Sequence, residues 1–217
     1  MKFKDEGSKF EPLEAGAEIA ICIGMIDLGT TENTYNGKTS DKHQVLLIWE
    51  VPGQTEMRKI KDSDEEKEVT RTISKFYTMS LNEKANLRKD LESWRGKAFT
   101  AEELEGFEGK NLLEKGCMIS IICEPNTKGD MKSKVSTVMA LPKGIKAPAA
   151  THDIVYFSFD DNVDMDILSD GLKTMVMKSH EFKALNGDEP ESGSVDDIND
   201  KLDEGAAEEA DSDNIPF

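Results

Sequence analysis

From Asp188 onward the chain stops offering material for a core. Residues 188–217 hold twelve acidic side chains against one base, Lys201, and so carry −11 of the net charge of −17. A segment so acidic and so poor in large apolar residues cannot bury enough surface to offset the entropy lost on ordering it. Whatever folds must fold within residues 1–187, which keep a net charge of −6 and are long enough for one substantial core. A chain at −17 looks wrong for a nucleic-acid binder. Binding follows the local field rather than the sum, however, and the body can carry a basic groove.

Inside the body the apolar residues alternate at the period of β-strands. Residues 17–28 place Ile19, Ile21 and Ile23 on one face, and 43–51 place Val45, Leu47, Trp49 and Val51 on one face with Leu46 and Ile48 on the other. Residues 69–80, 116–124, 132–141 and 154–159 read as further strands. Asn36-Gly37 is a hairpin signal within the turn-rich stretch 29–41, and the highly charged stretch 54–68 reads as a loop without period.

A helix is expected after Ser80, where Ser80 and Glu83 have capping-box spacing; Leu87, Leu91 and Trp94 form its apolar stripe and Gly96 its stop. A second capping box, Thr100 with Glu103, opens a short helix carrying Leu104 and Phe107. Residues 164–185 read as a C-terminal helix that Gly171 interrupts.

Three strands, a helix and two strands is the element order of an OB-fold. The expectation is a mainly β protein with inserted helices: an N-terminal arm (1–16) lying over the body, an OB-fold-like barrel (17–159), a C-terminal helical segment (160–187) and a disordered acidic tail (188–217).

The end of the tail, Asp211-Ser212-Asp213-Asn214-Ile215-Pro216-Phe217, resembles the acidic tip of bacterial and phage single-stranded DNA-binding proteins, an aspartate run closed by Ile-Pro-Phe. Ser212 and Asn214 stand where that pattern has aspartate. The stretch from Ile73 to Ile122, with Leu87-Arg88-Lys89-Asp90-Leu91-Glu92-Ser93-Trp94-Arg95-Gly96, is similar to a phage replication-module family of single-strand binders. The resemblance implies a phage protein of the bacterial cytoplasm that coats single-stranded DNA in replication, recombination or repair. It also implies recruitment of replication and recombination proteins through Asp211, Asp213, Ile215, Pro216 and Phe217. Pro216 stiffens the chain beside the Phe217 ring, which suits a pocket with a basic rim and an apolar floor.

Single-strand binding without sequence preference needs cations along the phosphates and flat side chains for unstacked bases. The stretch from Arg58 to Tyr77 supplies Arg58, Lys59, Lys61, Lys67, Arg71, Lys75 and Tyr77, with Lys75 and Tyr77 on one strand face. A lysine on that face is expected to meet solvent or phosphate, with Tyr77 stacking beside it. Lys128, Lys132 and Lys134 mark the last hairpin, and Tyr35 and Lys38 the loop after the first strand. Asp62, Asp64, Glu65, Glu66 and Glu68 dilute the first cluster. Trp94 reads as a core residue, and Trp49 as core with base stacking as the alternative.

Other chemistry finds little footing. Asp160, Asn162 and Asp164 alternate like calcium ligands, but Met165 and Gly171 replace the required Gly and Glu of that loop. There is no Walker loop, no Gly-x-Ser-x-Gly elbow and no Cys-x-x-Cys. Cys22, Cys117 and Cys123 read as reduced thiols of a cytosolic protein. No apolar run reaches membrane-spanning length and no secretory leader is read at the start. The expectation is a non-enzymatic binder without cofactor, metal or membrane partner. The oligomeric state stays open, a homo-oligomer included. Three alternatives remain: a recombination mediator or annealing protein, an OB-like adaptor that binds no DNA, and a metal-dependent nuclease.

Overall fold

Six strands are laid down in the order β1 (Gly16–Tyr35), β2 (Lys38–Lys59), β3 (Glu66–Thr78), β4 (Gly116–Pro125), β5 (Met131–Met139) and β6 (Val155–Phe157). Helices α1 (Asn86–Arg95) and α2 (Ala101–Glu105) come between β3 and β4; α3 (Asp170–Met177) and α4 (His180–Asn186) follow β6. The structure is a computed structural model that describes residues 11–35, 38–59, 65–126, 129–161 and 163–187. It is mainly β, a curled antiparallel half-barrel with the strand order β3-β2-β1-β4-β5.

β1 serves two neighbours in turn. Its first residues, Gly16–Ile21, pair with β4, and the rest pairs with β2. Register shifts between Cys22 and Gly24 and between Asp27 and Gly29 bend it between these duties. The edge that β4 leaves at Ile21 is taken by β6, which runs parallel to Gly24–Ile26. β3 and β5 form no ladder; Lys75 Nζ instead donates to the Ser136 carbonyl at 3.1 Å.

Alternation divides β2 between two cores. Val45, Leu47, Trp49 and Val51 point into the barrel with Ala20, Cys22, Ile73, Cys117, Ile119 and Val138, under the α1 stripe of Leu87, Leu91 and Trp94. Leu46 points outward to join Ile26, Leu28, Phe157, Leu168 and Val176 beneath α3 and α4. The C-terminal segment therefore covers the outer face of β1-β2-β3. Two polar fastenings hold it. Glu50, fully buried on β2, accepts hydrogen bonds from Thr151 N and Oγ1 and from His152 N and Nδ1. Glu181 of α4 accepts from Thr30 N and Oγ1, both at 2.6 Å. Gly29 makes that second contact feasible: its φ of 71° is left-handed, and a Cβ there would strike Ser179 and Glu181.

Several expectations change. The stretches 29–41 and 54–68 are not loops: β1 and β2 run through the first, pairing up to Tyr35 with Lys38, and β2 and β3 through much of the second. Asn36 and Gly37 lie outside the described residues. The Ser80 box is not made, because α1 starts at Asn86 after Ala85, which makes no side-chain cap, while Ser80 Oγ accepts from Asn82 N in a turn. The Thr100–Glu103 box is made; Thr100 N, then Lys97 and Arg95, hold the Glu103 carboxyl at about 2. The C-terminal helix is split at Ser179, whose hydroxyl caps α4 by accepting from Phe182 N. Burial pushes the Cys22 thiol up to about 12, so it stays protonated.

Candidate functional site

The pairing register sends two hairpins past the start of β1 at the same end of the sheet. β2 and β3 continue as an arm through Lys59 paired with Glu66, and β4 and β5 as a second arm through Pro125 paired with Met131. The N-terminal segment ties their bases together. Arg71 of β3 donates to the carbonyls of Glu11 and Pro12. Gln54 of β2 holds Glu14 at N and O, Ser133 of β5 accepts from Leu13 N, and the Cys123 thiol of β4 faces the Leu13 carbonyl. Leu13 fills the barrel mouth at 2% exposure.

Alternation sorts the charges of the β2–β3 arm. One face carries Glu56, Arg58, Lys67, Val69 and Arg71; the other carries Thr55, Met57, Lys59, Glu66, Glu68 and Thr70. Glu66 and Glu68, which flank Lys67 in sequence, thus point away from it, and Thr55 occupies Glu68. On the first face Arg58 and Lys67 are direct cross-strand partners. Glu56 is the one acid among these paired residues of that face, shared between Arg58 at 2.5 Å and Arg71 at 3.2 Å. Lys67 makes no ion pair among the described residues. Like charges placed directly opposite destabilise a hairpin.

On the second arm Lys132 and Lys134 project from the outer face, opposite Glu124 and Ile122, and Lys134 Nζ lies 3.4 Å from Glu124. Further along that face the cross-strand neighbours Ile19, Met118 and Met139 are half-buried and belong to neither core. Exposed Lys143 and Lys146 follow in the connection to β6. Residues 115–150 hold six lysines against Glu124 and Asp130, the most basic stretch of the body. Sequence reading stopped at the hairpin and passed over Lys143 and Lys146; a running charge sum would have found them.

Three of the residues expected at the DNA, Lys75, Tyr77 and Arg71, are engaged within the body. Lys75 and Tyr77 do share a strand face, but their partners Leu47 and Val45 are core residues, so that face points inward. Tyr77 is 1% exposed, and its hydroxyl donates to Asp90 of α1 at 2.7 Å. Lys75 Nζ reaches the same Asp90 oxygen at 2.9 Å. Arg71, opposite Val51, is buried and anchors the N-terminal segment. A lysine on a strand face did not mark a wet face here, because the seam between β3 and β5 brings an acceptor and a carboxylate to it.

Of the remaining expected residues, Arg58 lies on the cationic face, Lys59 on the opposite face against Glu66, and Lys132 and Lys134 on the second arm. Tyr35 and Lys38 close the β1–β2 hairpin at the other end of β1, with their side chains outside the description. Lys61, Lys128, Asp211, Asp213, Ile215, Pro216 and Phe217 lie outside the described residues.

Among the described residues no cluster of three or more His, Cys, Asp or Glu side chains is arranged to hold a metal ion. No helix is long and apolar enough to cross a membrane. No family model matches the chain, and no curated protein matches it.

Proposed function

We propose that this protein binds single-stranded DNA without sequence preference and coats it, and that its acidic tail recruits replication or recombination proteins through Ile215, Pro216 and Phe217. The Arg58–Lys67 pair carries the reading. A hairpin that holds two cations face to face, with Glu66 and Glu68 turned to the other side and Glu56 the one acid on their own face, keeps a repulsion that a phosphate would relieve. Strand order supports it: β3-β2-β1-β4-β5, with α1 between β3 and β4, is the order of an OB-fold barrel, a common platform for oligonucleotides. The strand would run from Arg58 and Lys67 on the first arm toward Lys132 and Lys134 on the second. The tail, with its many carboxylates, mimics a phosphate backbone and competes for the same cations.

The test is affinity for single- against double-stranded oligonucleotides at two salt concentrations. Preference for the single strand, with affinity falling steeply as salt rises, is expected. Salt-independent binding, or none in dilute buffer, contradicts the proposal.

A further inference from the structure

Unpaired bases need flat or apolar surface as well as cations for their phosphates, and the described rings are engaged elsewhere. Trp49 and Trp94 pack together inside at 6.3 Å. Tyr77 is tied to Asp90. Phe99 and Phe107 lie under the Arg95 guanidinium, and Tyr156 under Lys110 while bonded to Asp161. Phe157 and Phe159 stack in the outer core that Phe76 and Phe182 also join. Among the described side chains no aromatic one is exposed.

The outer face of β1, β4 and β5 offers apolar surface without rings, and the register builds it in rows. Ile19, Met118 and Met139, half-buried cross-strand neighbours, form one row. The next row toward the second arm is Ala17, Ser120 and Thr137, all small. Past a register shift, Ile122 stands opposite Lys134 and Glu124 opposite Lys132. Short side chains between taller rows leave a shallow trough across the three strands. The other side of the Met118 row is closed by the connection to β6. A Cβ on Gly116 would strike Ala147 and Leu141, so that connection lies against β4 beside Met118. Its turn, closed by Ile145 N donating to the Pro142 carbonyl at 3.1 Å, presents exposed Lys143 and Lys146 on either side of Ile145.

Charge complementarity selects the occupant. Lys132 and Lys134 stand at one end of the apolar rows, Lys143 and Lys146 at the other, and Glu124 is the one acid among the paired residues named. Along β5, Lys132 to Met139 alone covers about 23 Å at the rise of a strand. A small anion would meet one end. An extended polyanion with apolar faces along its length meets both ends and the rows between them, which is the chemistry of single-stranded DNA. Methionine is unbranched and polarizable, so it adapts to whichever base lies on it, as binding without sequence preference requires.

Resting on the DNA-binding reading, we infer that the outer β1-β4-β5 face receives the bases: they pack on Ile19, Met118 and Met139, while Lys132, Lys134, Lys143 and Lys146 meet the phosphates.

The test uses the full chain and a fluorescein-labelled oligo-dT. Met118→Gln with Met139→Gln keeps side-chain length and charge. Affinity should fall about fivefold for each methionine that a base covers, with an unchanged slope of log affinity against log salt. Lys143→Ala with Lys146→Ala should flatten that slope by about 0.7 for each phosphate no longer neutralised. Melting temperatures equal to that of the wild type verify the fold of both variants. Photocrosslinking from benzoylphenylalanine in place of the exposed Thr137 reads the same face with both methionines intact. Adducts with oligo-dT support the proposal, and their absence in a complex that does form counts against it. A wild-type chain that binds oligo-dT while both variants bind equally well overturns this face as the base platform but leaves the DNA-binding reading standing. A wild-type chain that does not bind overturns both.

Discussion

Arg58 and Lys67 face each other across the β2–β3 arm, while Glu66 and Glu68 occupy the opposite face. The arrangement sets stability against binding. Lys67→Glu turns a like-charge pair into an opposite-charge pair, which should stabilise the hairpin by about 0.2–1 kcal/mol. The same change should weaken single-strand binding several-fold and flatten its salt dependence. Thermal melting and an anisotropy titration read the two effects; a variant equally or more stable that binds DNA as tightly as the wild type would remove this pair from the interface.

Tyr77 separates a structural ring from a stacking one. Tyr77→Phe keeps the ring but leaves Asp90 with Lys75 as its remaining partner at this contact. A loss of about 1–3 kcal/mol in unfolding free energy is expected, since a hydrogen bond to a carboxylate in a largely buried site is removed. DNA affinity at a temperature where both proteins are folded should not change. A large affinity loss without loss of stability would return Tyr77 to the binding surface.

Glu50 makes the attachment of the C-terminal segment sensitive to acid. Burial pushes its carboxyl up, but hydrogen bonds from His152 and Thr151 outweigh that and hold it below the usual glutamate value. A carboxyl whose folded value is depressed contributes stability above its unfolded value, near 4.3, and loses it as pH falls through the folded one. Glu50→Gln should therefore be less stable than wild type at pH 7, and the gap should narrow as the solution is acidified below about pH 4. Parallel melting temperatures for the two proteins between pH 7 and pH 3 would show that Glu50 is not the acid-sensitive fastening.

The tail prediction turns on charge. Removing residues 188–217 takes away −11 and any competition with phosphate for the basic surfaces. Affinity for oligo-dT should rise, most strongly at low salt where electrostatic competition is least screened. Equal affinities for the full and shortened chains at low salt would leave the tail with recruitment alone.

The barrel interior was legible because its strands have one apolar face: residues 17–28, 43–51 and 116–124 lie within β1, β2 and β4. The arms were not legible. Beyond the core both faces of Thr55–Lys59 and Glu66–Thr70 meet solvent, so no hydrophobic period marks them, and backbone pairing alone makes them strands. The first helix was found by its stripe, but its start was misplaced by five residues. Ser80 spends its hydroxyl on Asn82 in the turn before it.

Sequence alone settled that the body would be mainly β, since alternation is a local property of the chain. Tertiary structure alone decided which faces turned inward. Lys75, Tyr77 and Arg71 look like surface cations and a surface ring in one dimension; pairing with Leu47, Val45 and Val51 makes them part of the frame. The same pairing turned Lys67 away from Glu66 and Glu68 beside it and set it opposite Arg58. A strand's side-chain period is two, so the register of its partner, fixed by residues far away in sequence, selects the side on which each charge stands.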